Sequence, residues 1–193
     1  GEIRATLDRY RDGAEIYLGG APMIADDLVT FVQGDLSTFS SAVVLLIIFA
    51  LGLIFRKIRW VAMPLMCCAV AGTIMVGVLG LMDWRVTVVS SNFISLLLII
   101  TISLTVHLTV RYRELRATRH YGDHDKLLSH AVLSMFRPCL YTALTTAVAF
   151  GSLIVSGILP IITFGWMMMM GVVTALVVAF TLFPSIMSLL KKD

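Results

Sequence analysis

The chain has 193 residues, 59% of them hydrophobic and 14% charged, with a net charge of +3 and a mean hydropathy of +0.94. Soluble domains average about 25% charged and about 45–50% apolar residues, so the composition excludes a soluble globular domain and defines an integral membrane protein. Nothing in it marks a nucleic-acid partner, and the three cysteines, Cys67, Cys68 and Cys139, sit in apolar runs with neither disulfide nor metal spacing.

The chain starts at Gly1 with no signal-peptide pattern, and its first forty residues are mixed and polar. This reads as a piece of a longer polypeptide, cut inside a soluble domain. Residues 1–36 predict helix, strand, helix. Ile3, Leu7 and Tyr10 have helical spacing, Gly13 ends that helix, AEIYLGG at 14–20 fits a short strand, and Pro22 suits a first helical turn. That second helix is expected to run into the first span, with a bend near Gly34. So small an α+β lead-in cannot form a core alone, and is expected to be the tail of an extracytoplasmic domain.

A spanning helix needs about 20 mostly apolar residues to cross about 30 Å of hydrocarbon. Apolar blocks at about 37–55, 60–82 and 86–110 meet that length, and the long block 138–190 is divided by the breaker series Ser156-Gly157-Ile158-Leu159-Pro160 into 137–157 and 161–190. The expected fold is therefore an all-α membrane protein with a five-helix transmembrane bundle over 37–190. Arg56, Lys57 and Arg59, the basic stretch 111–137, and Lys191 and Lys192 fall on one side, which carries net +7; the other side, with residue 1, carries net −4. Positive residues mark the cytoplasmic side, so residue 1 is expected in the periplasm and the C-terminus in the cytoplasm. Residues 111–136 are expected as a cytoplasmic loop. Asp123 would cap an interfacial amphipathic helix there, with Leu127, Leu128, Ala131, Val132, Met135 and Phe136 on one side.

Small residues recur at four-residue steps in three spans: Ala69, Thr73 and Gly77; Ala143, Ala147 and Gly151; Gly171, Ala175 and Ala179. In lipid such stripes predict close helix packing, and a moving interface would use the same residues. The run Met167–Met170 reads as flexible filler, or as a substrate-lining surface. The third span is the polar one. Asn92, Ser95, Ser103 and His107 fall in a wedge roughly a third of the helix wide, and Thr101, Thr105 and Thr109 form a second stripe. The fourth adds Thr142, Thr145 and Thr146. These are the candidate relay or pathway residues; a structural hydrogen-bond network fits the same pattern. His107 is either an interfacial histidine or a proton-handling group.

His120, Asp123, His124 and His130 lie close in sequence, but no fixed set of ligands emerges, and neither metal nor cofactor is expected. No HExxH, GxSxG or Walker motif is present, so the chain reads as no enzyme. An intramembrane enzyme built on Ser103 and His107 is the weakest alternative.

The segment HLTVRYREL at 107–115 resembles the end of the fourth transmembrane helix of RND-superfamily exporters, especially the MMPL-like, hydrophobe-exporter branch, whose pattern is roughly G-x-G-V-D-Y-x-x-H-L-x-x-R-Y-R-E. His107, Leu108, Arg111, Tyr112, Arg113 and Glu114 fall in place. The segment 141–165 is similar to the fifth helix and following turn, with Thr145-Thr146, Phe150-Gly151, Leu153, Ser156, Pro160 and Phe164-Gly165 in register. GVVTALVVAFTLFPSIMSLL, with Pro184, resembles the sixth helix, and YLGGAPMIADDL the last strand and helix of the periplasmic porter domain. The resemblance covers nearly the whole chain.

It implies half of a proton-motive-force-driven exporter of hydrophobic or amphiphilic molecules, lipid-like or drug-like, in a bacterial inner membrane. The implied partners are membrane lipid, the hydrophobic substrate and a second homologous half of the same chain, with a periplasmic adaptor or a homo-oligomer beyond these. The family's acid, however, would fall at Ser103 and its preceding glycine at Thr101, and no Asp or Glu lies within any expected span. A serine does not titrate near neutrality, so the coupling acid is absent from this half. The runner-up is a sterol-sensing-type, lipid-binding regulatory module that does not pump.

Overall fold

The computed structural model describes residues 20–84, 90, 92–118 and 124–189. Helix α1, Ala21–Phe55, is 35 residues long. Pro22 lies in its first turn, where the missing N–H leaves no bond unmade, and the helix continues through Gly34 without interruption. It ends where Arg56 turns left-handed (φ 54°) and gives its N–H to the Gly52 carbonyl at 3.0 Å. At 1.5 Å per residue α1 is about 50 Å long, more than the hydrocarbon thickness; its apolar part, Ser41–Phe55, is shorter than a full crossing.

Helix α2, Ile58–Leu81, follows with Pro64 inside it, and closes on Met82 and Asp83. Helix α3 is Phe93–Ala117 and α4 is His124–Gly151. A 3-10 turn, Ser152–Ser156, and Gly157 at φ 74° reverse the chain into α5, Leu159–Leu189. Proline at the second position of α5 again costs no hydrogen bond. Among the described residues four units, α2, α3, α4 with its 3-10 turn, and α5, are long and apolar enough to cross a membrane, one fewer than the five spans expected, because the apolar part of α1 falls short.

Helix α5 is the axis, packed against α2, α3 and α4, while α1 touches only the rim of α2 and α3. Met75, Leu97, Leu104, Leu108, Met167, Met168, Ala175, Ala179 and Phe183 fill the core. Met167 and Met168 are fully buried, so half of the methionine run is packing.

Three expectations change. Residues 1–19, which hold the expected first helix and all but the last residue of the strand at 14–20, lie outside the described residues; the described ones contain no strand, and the α+β lead-in is not supported. The stretch 111–136 is not one loop with a separate interfacial helix. Residues 111–117 extend α3, and 124–136 are the first turns of a helix that runs through Arg137 and Pro138 to Gly151. Arg, Glu, Leu and Ala favour helix, Arg111 pairs with Glu114 one turn on, and Leu127, Leu128 and Ala131 are buried in the bundle. Third, the small stripe of α2 faces outward. Ala69, Thr73 and Gly77 are exposed, and a Cβ on Gly77 would meet no atom within 4 Å. The α2 face that packs is Cys67, Cys68, Ala71, Met75 and Leu79.

The other stripes lie closer to the core. Ala143 is buried, Ala147 half-buried, and Gly151 lies against the Met169 sulfur. Gly171, Ala175 and Ala179 are buried, and a Cβ on Gly171 would stand 3.2 Å from both Leu97 and Phe93.

Candidate functional site: the polar faces of α3

One turn of helix apart, Thr101, Thr105 and Thr109 are all fully buried. Each hydroxyl donates to its own helix: Thr101 to the Leu97 carbonyl at 2.8 Å, Thr105 to the Thr101 carbonyl at 3.0 Å, and Thr109 to the Thr105 carbonyl at 2.7 Å. A threonine closed in this way can be buried with no partner across the bundle. Thr145 and Thr146 do the same on α4, to Tyr141 and Thr142, and face outward or lie half-buried.

The structure divides the wedge. Ser95 is buried and has a partner. Asn92, at the start of α3, is exposed, as are Ser103 and His107. Ser103 and His107, four residues apart, share a face with the exposed Val110 and Glu114. Among the described residues neither side chain makes a hydrogen bond, to the other or to a third group. The hydroxyl–imidazole contact that a nucleophile and its base require is thus not formed. What α3 presents is an outward polar strip whose side chains, unlike those of the exposed Thr73 and Thr145, are not satisfied on their own helix. Polar side chains facing hydrocarbon are costly, so such a strip calls for a covering surface or a wet cavity.

The RYRE segment does different work. Tyr112 is 1% exposed and continues the buried line of Leu104 and Leu108. Its ring lies 5.9 Å from Trp60 of α2 and 5.9 Å from His124 of α4. The phenol oxygen is 3.2 Å from His124 Nδ1, and His124 Nε2 is 3.3 Å from the Met187 carbonyl of α5. A carbonyl only accepts, so in the neutral ring Nε2 carries the hydrogen and donates to Met187. Nδ1 then accepts from the Tyr112 hydroxyl. The Arg116 guanidinium lies near the same phenol. Arg113 lies over the rings of Phe55, at 5.3 Å, and Trp60, at 5.9 Å. Arg111 reaches Ser134 at 3.4 Å and Glu114 at 3.2 Å. One end of every helix is thereby tied into a single knot.

This bridge was missed in the sequence, where His124 read as part of a loop; the i, i+4 line through Leu104, Leu108 and Tyr112 was the available signal. His120 and Asp123 lie outside the described residues and His130 is exposed. Among the described residues no three His, Cys, Asp or Glu side chains gather as a metal would require.

At the other end, the second family-like segment is a helix crossing. Phe150 and Phe164 meet edge to face at 5.9 Å. A Cβ on Gly165 would stand 2.8 Å from the Phe150 carbonyl oxygen.

Long apolar helices packed around a central one define a polytopic membrane protein. The chain belongs to the MMPL family, which it matches over residues 1–192. It is 28% identical over 180 residues to a Methanocaldococcus jannaschii protein named as a membrane protein, a match that covers 92% of this chain and 45% of the relative. The chain thus spans less than half the length of that relative.

Proposed function

We propose that this bundle is one half of the membrane domain of an exporter that moves hydrophobic or amphiphilic molecules, lipid-like or drug-like, across a bacterial inner membrane. The observation that carries the reading is the uncovered strip of Ser103 and His107 on α3, at the position where the family resemblance puts its proton-handling acid. A second, homologous half covers the strip and supplies the carboxylate this half lacks, so transport draws on the proton-motive force through both halves. The match to less than half of a longer relative supports a two-half protein. The basic ends of the helices lie in the cytoplasm and residue 1 in the periplasm.

The test is export by the whole protein carrying Ser103→Ala and His107→Ala together. Export is expected to fall about tenfold or more, the equivalent of one interaction of about 1.4 kcal/mol. Unchanged export would retire the strip as part of the pathway.

One observation favours the runner-up, a sterol-sensing-type module that binds lipid without pumping: no acid lies anywhere in 58–81, 93–113 or 138–189. For that module, lipid binding would be indifferent to a proton gradient and no net transport would follow.

A further inference from the structure

The turn between α1 and α2 carries three cations in four residues, Arg56, Lys57 and Arg59, and the end of α3 brings Arg113 beside them. Phe55 and Trp60 flank that turn, and the Arg113 guanidinium lies over both rings. Among the described residues no carboxylate pairs with Arg56, Lys57 or Arg113, and the nearest acid on α3, Glu114, is taken by Arg111 at 3.2 Å. Like charges gathered this closely repel one another unless an anion lies between them.

An open, mostly apolar hollow of about 720 Å³ runs along α1 as far as Arg56, lined by Ile48, Phe49, Gly52, Leu53, Ile54 and Arg56. Gly52 lies open within it, since a Cβ there would meet no atom within 4 Å. The bundle is held by the other face of α1, through Leu51 and Phe55, so the hollow opens outward. An open apolar surface that ends at Arg56, with Lys57 next to it in sequence, matches an amphiphile with a hydrocarbon chain and an acidic head. Basic pockets among transmembrane helices are established sites for anionic headgroups, and each nearby Lys or Arg is worth about fivefold in affinity.

We infer that this corner binds an anionic phospholipid, with an acyl chain against Gly52 and the phosphate held by Arg56, Lys57 and Arg113. A free phosphate would use the cations and ignore the hollow. The site goes beyond the transport reading and holds equally for a sensor.

The experiment uses the whole protein in nanodiscs of phosphatidylcholine with a minor fraction of phosphatidylglycerol, and native mass spectrometry to count the lipid retained. Three variants are compared with wild type: Arg56→Asn with Lys57→Gln, asparagine being at ease at a left-handed φ; Gly52→Leu; and Lys126→Gln with Arg137→Gln, which removes the same charge elsewhere at this end. Thermal unfolding in pure phosphatidylcholine checks that each remains folded. Wild type is expected to enrich phosphatidylglycerol. The turn pair should lower that enrichment roughly 25-fold, Gly52→Leu should also lower it, and the control pair should leave it unchanged. No enrichment in wild type, equal losses in the turn and control pairs, or unchanged retention in Gly52→Leu would each overturn the inference. A glycerophosphate that competes as well as the diacyl lipid would show a phosphate site in its place.

Discussion

Replacing Gly165 with alanine is expected to destabilise the bundle by about 1–3 kcal/mol, although the same change in an ordinary helix stabilises by about 0.5–1 kcal/mol. The sign is decided by what the new methyl group meets. It would stand 2.8 Å from the Phe150 carbonyl oxygen, 3.2 Å from the Leu153 Cβ and 3.5 Å from the Ile154 Cγ1. The first is backbone and the second is fixed to it, so neither can swing away. The chain cannot open the gap cheaply. Gly157 reverses it within a few residues of Gly151, and the Phe150–Phe164 contact holds α4 and α5 together at this level. Gly77→Ala is the matched control, because nothing lies within 4 Å of its Cβ; it should be neutral or slightly stabilising. Thermal unfolding of both variants in the same detergent checks the pair. Equal midpoints would mean that the α4–α5 crossing is looser than described.

Loss of the His124 ring is the second large effect. His124→Ala removes the acceptor of the Tyr112 hydroxyl and the donor to the Met187 carbonyl in the last turn of α5. Arg116 cannot take the acceptor's place, because a guanidinium only donates. A buried hydroxyl left without its acceptor costs about 1–3 kcal/mol. Tyr112→Phe should cost less, since it removes both the group and its need. In the double variant nothing is left orphaned on α3, so the two costs should not add. A coupling of about 1–2 kcal/mol is expected from denaturant unfolding of the two single variants and the double variant. Strict additivity would show that the bridge holds no energy of its own.

Much of this architecture can be read from the residues. The apolar runs, the Gly157–Pro160 break and the basic residues after Phe55 are local features: α1 stops at Phe55, and α4 gives way to α5 across that break. The reading failed where charge was taken for irregular structure. Arg111, Arg113 and Arg116 resembled a loop, yet each is a good helix former, and Tyr112 continues the buried line of Leu104 and Leu108. It failed again where periodicity had to choose a face. A helical wheel shows that Ser103 and His107 lie opposite Thr101 and Thr105, but not which side is inside. The bundle buries the threonines, because they satisfy themselves on α3, and leaves the serine and imidazole outward. The stripe of α2 fails in the same way: Ala69, Thr73 and Gly77 are as suited to packing as Gly171, Ala175 and Ala179, and only the neighbouring helices decide. The bridge through His124 joins residues from three helices and has no local signature.

The central claim is that the outward face of α3 is covered in the whole protein by a second half. Nitroxide labels at positions 103, 107 and 148, in the full-length protein in nanodiscs, test it through their accessibility to dissolved oxygen. Val148 lies on the outer face of α4 and is 65% exposed. Oxygen contact well below that of position 148 at both 103 and 107 is the expected result. Contact equal to that at 148 would place Ser103 and His107 in open lipid and contradict the account.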